Sequence, residues 1–74
     1  MNRGLREQDV ERILRDVLNT QGLHVSAARA ERTPDGWRVT VTNAAGRILS
    51  TDVAAGRPAV VRASLAHWLL ASST

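Results

Sequence analysis

The residues of this chain best suited to binding an anion are arginines, and two of them lie in a short repeat. Ala44-Ala45-Gly46-Arg47 recurs ten residues later as Ala54-Ala55-Gly56-Arg57. Glycine N–H groups beside an arginine can cradle an anion, and a helix starting after Arg57 would add its partial positive charge, with Arg62 one turn further on. The alternative is that both copies are turns in an alanine-rich chain. No Lys-Ser/Thr pair follows the glycines, which excludes a nucleotide-binding P-loop.

The basic residues as a group suggest nucleic acid as one partner. All ten are arginine, against seven acidic residues, for a formal net charge of +3. The excess falls in residues 21–74, because residues 1–20 hold equal numbers of both signs. Phe and Tyr are absent and we predict both tryptophans in the core, which leaves no stacking platform for single-stranded bases. A nucleic-acid-binding regulator is therefore the alternative function, with Arg38, Arg47, Gly56, Arg57 and Arg62 as candidate contacts.

Residues for catalysis are few. The only histidines, His24 and His67, fall on predicted outer faces without a carboxylate or nucleophile nearby in the sequence. The acidic residues before position 20 form one charged helix face, which is typical of solvated surface. There is no cysteine, so disulfides and thiolate metal sites are excluded. We expect no enzymatic activity, no catalytic residue, no cofactor and no metal.

The first element along the chain is an amphipathic helix, predicted from about Leu5 to Thr20. Its apolar stripe has the spacing i, i+3, i+4, i+7, i+8 and comprises Val10, Ile13, Leu14, Val17 and Leu18. Glu11 and Arg15 are spaced for an ion pair on the opposite side, and Gly22 is placed to end the helix in a left-handed cap.

After Gly22 the apolar period changes to two, which predicts strands. Residues 33–36 (Thr-Pro-Asp-Gly) and 43–46 (Asn-Ala-Ala-Gly) carry turn residues between them, and glycine is expected at the strained position of each turn. Alanines between residues 27 and 30 favour helix, so the first strand stays an open question over residues 26–32. The inward residues of the three strands are predicted to be Leu23, Val25 and Ala27; Trp37, Val39 and Val41; and Leu49, Thr51 and Val53.

A last helix is predicted from Pro58 to about Ala71, since proline suits the first helical position and Gly56 or Arg57 can cap it. The fold class is therefore α+β, in the order α-β-β-β-α: a three-stranded antiparallel meander with two helices packed on one face. We expect one small domain over residues 1–74, frayed at 1–4 and 72–74. No apolar stretch approaches the length of a membrane span or a signal peptide, so we expect no membrane partner and a cytoplasmic protein.

The order of elements is similar to that of double-stranded-RNA-binding domains and of small HicA-type RNA-cleaving toxins. Pro34-Asp35-Gly36 followed by Arg38-Val39-Thr40-Val41 resembles the central hairpin of the toxins. The resemblance implies RNA as a partner, but the residues depart from both families. The toxins carry a catalytic histidine on the preceding strand, where this chain has Arg29, Glu31 and Arg32. The RNA-binding domains carry a lysine cluster opening the last helix, where this chain has Arg57 and Arg62.

The last helix lacks the polar side that a surface helix normally shows. Val61, Leu65, Trp68 and Leu69 define the side expected to face the sheet, yet the opposite side is also mostly apolar. Alanine exposes little area, so the alternative is an ordinary solvated face with two isolated large residues. A core this thin favours association as a source of stability. The main prediction is a non-enzymatic binding module that homodimerises or docks another protein through Val60, Ala63, His67 and Leu70.

Overall fold

A computed structural model describes residues 5–72 of the 74-residue chain. It shows one open three-stranded antiparallel sheet, in strand order β1-β2-β3, and two helices. The α+β class and the α-β-β-β-α order predicted from the sequence are confirmed. The elements are α1 (Glu7–Thr20), β1 (Val25–Thr33), β2 (Gly36–Asn43), β3 (Ile48–Ala54) and α2 (Pro58–Ser72).

Helix α1 begins two residues later than predicted because of its cap. The backbone N–H of Arg6 donates to the Asp9 carboxylate at 2.9 Å, which makes Arg6 the capping residue and Glu7 the first helical one. At the other end Gly22 has φ +71°, and Leu23 N–H donates to the Leu18 carbonyl at 2.9 Å. This left-handed cap was predicted, and it turns the chain directly toward β1.

Strand β1 settles the question left open over residues 26–32, which are strand. Its register against β2 shifts between Val25 and Ala27, so Ser26 is an extra residue in the ladder. Beyond this bulge the side chains exchange faces, and Ala28 and Ala30 are buried while Ala27 is exposed. The prediction that Ala27 points inward was therefore wrong. The helix preference of the alanines is overridden by nine residues of cross-strand pairing.

The two hairpin turns use glycine for different reasons. Gly46 has φ +86°, as predicted, in a turn where the Asn43 Oδ1 accepts from the N–H groups of Ala45 and Arg47, each at 2.9 Å. Gly36 was also expected in a strained conformation, but its φ is not positive. A Cβ on Gly36 would lie 2.0 Å from the Val53 carbonyl oxygen, so glycine is needed there for close approach between β2 and β3.

The core lies between one face of the sheet and the two helices. Helix α1 contacts β1, helix α2 contacts β3, and the helices contact each other. Several residues predicted to face inward are only half-buried: Ile13, Leu23, Val25, Leu49, Thr51 and Trp68. The fully packed set comprises Val10, Leu14, Val17, Leu18, Ala28, Ala30, Trp37, Val39, Val41, Val53, Val61, Leu65 and Leu69.

Helix α2 starts and ends close to the predicted residues. The carbonyl of Arg57 accepts from the N–H groups of Val60 and Val61, each at 3.0 Å, so Arg57 is the capping residue and Pro58 the first helical one. Ser72, which belongs to the end predicted to fray, is the last described residue of the helix. The other residues predicted to fray, 1–4 and 73–74, lie outside the described part of the chain. Neither helix within residues 5–72 is long and apolar enough to cross a membrane.

We expect Gly36→Ala to lower the free energy of unfolding by about 3 kcal/mol, because the new methyl group must push β3 away from β2. Gly56→Ala is the matched control, since its Cβ would meet only the Val60 side chain, at an ordinary 3.5 Å. Its stability should change by less than about 0.5 kcal/mol. Urea unfolding followed by circular dichroism measures both variants. Equal stability of the two would show that the close approach at Gly36 is not a constraint.

Candidate functional site

The exposed side of α2 carries all four residues predicted to bind a partner. Val61, Leu65 and Leu69 are buried against α1 and the sheet, and Val60, Ala63, His67 and Leu70 lie on the opposite side of the helix. We call these four residues the outer stripe. Val60 and Leu70, the two large aliphatic side chains of the stripe, are 52% and 57% exposed. The structure therefore brings the predicted residues together on one surface.

The outer stripe has the spacing and charge of a helix-packing surface. Its residues are separated by three, four and three positions, as are the inward positions of a coiled coil. The helix Pro58–Ser72 contains one charged residue, Arg62, whose guanidinium donates to the Asp16 carboxylate on α1. That ion pair lies toward the junction of the two helices. The outer stripe thus consists of two aliphatic residues, an alanine and a histidine.

The sheet face turned away from the helices has balanced charge. No element within residues 5–72 covers this face. In the middle row Arg38 lies opposite Asp52 on β3 and Glu31 on β1, and its Nε donates to the Asp52 carboxylate at 3.1 Å. In the next row Arg29 lies opposite Thr40. The two arginines are therefore matched by two carboxylates, and this face lacks the positive excess expected of a phosphate-binding surface.

The five candidate nucleic-acid contacts do not form one patch. Arg47 lies in the β2–β3 turn, whereas Gly56 and Arg57 follow the other end of β3, roughly 25 Å away at about 3.3 Å per residue. Arg38 is ion-paired on the outer sheet face and Arg62 is ion-paired between the helices. Only Gly56 and Arg57 remain together, exposed at the start of α2. One arginine and a helix terminus give little electrostatic attraction to a duplex.

The cleft beside Trp37 holds one charged side chain, and this side chain has a structural role. Arg32 donates to the Leu5 carbonyl at 2.8 Å, and its guanidinium carbon lies 5.0 Å from the centre of the Trp37 ring. These contacts fasten the segment before α1 to the end of the sheet and cover the buried indole. The cleft, which Thr33, Ala55 and Gly56 also line, therefore presents no acid, base or nucleophile pair.

Sequence reasoning missed one contact that positions the fold and did not consider one exposed hydrophobic residue. We predicted that Glu11 would pair with Arg15. Instead, the Glu11 carboxylate accepts from the Ala30 backbone N–H on β1 at 3.2 Å. Helical spacing alone pointed to Arg15, and nothing in the sequence places β1 beside α1. Ile48, 66% exposed on the outer sheet face, was placed there by strand alternation but not considered as a functional residue. An isoleucine among polar residues of a strand was the available signal.

Protein-family models, curated proteins and solved structures were all compared with the chain, and none of them matches it. The likeness to RNA-binding domains and RNA-cleaving toxins thus stays with element order and the short hairpin segment. His24 and His67 are both exposed, and no group of three metal-ligating side chains occurs within residues 5–72.

We expect no measurable binding of a duplex at about 150 mM salt, because the arginines are dispersed and two of them are ion-paired. Fluorescence anisotropy of labelled double-stranded RNA and DNA, repeated at about 50 mM salt, measures this. Saturable binding would favour the nucleic-acid alternative if Arg57→Ala with Arg62→Ala weakened it and made its salt dependence shallower.

Proposed function

We propose that this protein is a non-enzymatic binding module that acts through the outer stripe of α2, with a second copy of itself as the simplest partner. The observation that supports this most directly is the exposure of Val60 and Leu70 on a helix whose other side is fully packed. Apolar surface of this kind in a small protein is commonly an interface.

The amino-acid composition supports association for a separate reason. The chain has no disulfide, and residues 5–72 include no metal cluster, so hydrophobic burial must supply its stability. Only thirteen residues of the described chain form the buried core, and two of these are alanine. A partner that buries Val60 and Leu70 adds aliphatic area that the fold itself leaves exposed, and each such side chain contributes about 1.5–3 kcal/mol when fully buried.

Self-association fits the stripe better than an acidic or basic partner does. The stripe has no charged side chain, so it offers nothing with which to select an oppositely charged surface. Another apolar helix face is the surface it complements, and every copy of the chain carries one. The nucleic-acid alternative has no comparable support, since the arginines that would carry it are dispersed or paired.

We expect Val60→Glu with Leu70→Glu to weaken dimerisation by at least about 100-fold, because four carboxylates would enter an apolar interface. Sedimentation velocity over a concentration series measures the dimer dissociation constant. The control is Thr20→Glu with Ala44→Glu, which changes the charge equally at two exposed positions outside α2 and should leave the constant unchanged. A wild-type chain that stays monomeric at all concentrations would refute self-association.

A further inference from the structure

The outer edge of β3 is the free edge of the sheet. The backbone N–H of Ala55 donates to the Asp35 carbonyl, and the ladder continues through Trp37 with Val53 and Val39 with Thr51. Hydrogen-bonded pairs alternate along antiparallel strands, so the odd-numbered residues of β3 bond to β2. The N–H and carbonyl groups of Ser50 and Asp52 therefore point away from the sheet.

The opposite edge of the sheet, on β1, is contacted by helix α1. There the Ala30 N–H, which also points away from its neighbouring strand, donates to the Glu11 carboxylate of α1. Helix α1 thus occupies the β1 edge, in the way that natural sheets protect an edge from further pairing. Within residues 5–72 no side chain makes a corresponding contact with the outward N–H groups of Ser50 or Asp52.

Helix α2 runs antiparallel to β3 and contacts it. The C-terminal part of α2 is near the start of β3, since Leu69 and Leu49 line one cleft, and a short connection joins the end of β3 to Pro58. Leu65 is about 10 Å along the helix from Pro58, and Thr51 is about 10 Å back along the strand from Ala54. The middle of α2 is therefore level with the middle of β3.

The outer stripe of α2 and strand β3 can share one two-fold axis, because their centres are at the same height along the two elements. The outer stripe is symmetric about position 65, so an antiparallel copy places Val60 against Leu70 and Ala63 against His67. Strand β3 is symmetric about Thr51, so an antiparallel copy places Ser50 opposite Asp52 and pairs the whole strand. A two-fold interface requires this reciprocity, and here one axis provides it for the helix and the strand together.

We infer that the partner is a second copy of the chain, joined by antiparallel pairing of β3 with β3 into a six-stranded sheet, with the two α2 helices packed against each other. This inference deepens the proposed function and rests on it. The centred register keeps the two Asp52 carboxylates apart, whereas shifting the centre to Asp52 would place them opposite each other.

The area required by a stable dimer also favours both elements over the helix alone. The exposed side of a 15-residue helix is about 22 Å long and about 10 Å wide, or roughly 220 Å². A stable interface buries about 800 Å² on each partner. The β3 edge belongs to the strand that α2 contacts, so pairing at this edge would extend the contact.

The test uses Thr51→Cys, the position that would lie on the axis. The natural chain has no cysteine, so any disulfide between two protein cysteines must join two copies. Residues directly opposite each other on antiparallel strands have Cβ atoms about 4.5–5.5 Å apart, close enough for a disulfide to form with small adjustments. We expect a disulfide-linked dimer in a glutathione redox buffer, seen on a non-reducing gel. Thr40→Cys is the matched control: it is also half-buried, but it lies on the central strand and should cross-link at least about ten-fold less.

The outcomes separate this inference from the proposed function. Loss of the cross-link when Val60→Glu and Leu70→Glu are added to Thr51→Cys supports one interface made of strand and helix. A dimer that requires Val60 and Leu70, but in which Thr51→Cys cross-links no faster than Thr40→Cys, overturns strand pairing and leaves the proposed function standing. A monomeric wild-type chain overturns both.

A second pair of variants tests the register without a cysteine. Ser50→Lys should tighten the dimer a few-fold, because it places an ammonium group opposite Asp52 of the other copy, and Ser50→Glu should weaken it about ten-fold. Sedimentation velocity measures both, with circular dichroism to confirm folding. Equal dissociation constants for the two variants would overturn the centred register.

Discussion

The fold depends on one buried cluster that includes Leu14 on α1, Leu65 on α2 and Val39 on the central strand; all three side chains are fully buried. This cluster fixes which side of α2 faces inward. Because α2 is apolar nearly all round, burying one side necessarily turns the other toward solvent in a fold with a single layer of helices. The exposed Val60 and Leu70 are a consequence of this core rather than a separate feature.

The packing of the helices and the register of the strands also bring oppositely charged side chains together. Asp16 and Arg62 meet where the two helices approach, and Arg38 and Asp52 meet across two strands, so two arginines that the sequence offers for binding anions instead bridge elements. Exposed pairs of this kind contribute little stability, about 0–1 kcal/mol. Their larger effect is to neutralise two of the arginines that could otherwise contact a phosphate.

The two edges of the sheet differ, because α1 protects the β1 edge and the β3 edge is exposed. Glu11 contacts β1 at Ala30, while α2 contacts β3. In the proposed dimer the free edge of β3 and the outer stripe contribute to one interface, in which backbone hydrogen bonds supply affinity and side-chain packing supplies selectivity.

The sequence by itself determined the elements and most of their inward residues, because helical and strand periods, turn glycines and the proline at the start of α2 are local signals. It also singled out the outer stripe, since a helix without a polar side is visible in the order of residues. Tertiary structure decided the rest. The bulge at Ser26 exchanged the faces of β1, Glu11 bonded to a strand instead of Arg15, and the close approach to Val53 explained Gly36. Each of these depends on atoms brought together from distant parts of the chain, and a local pattern carries no information about which distant group will lie beside it.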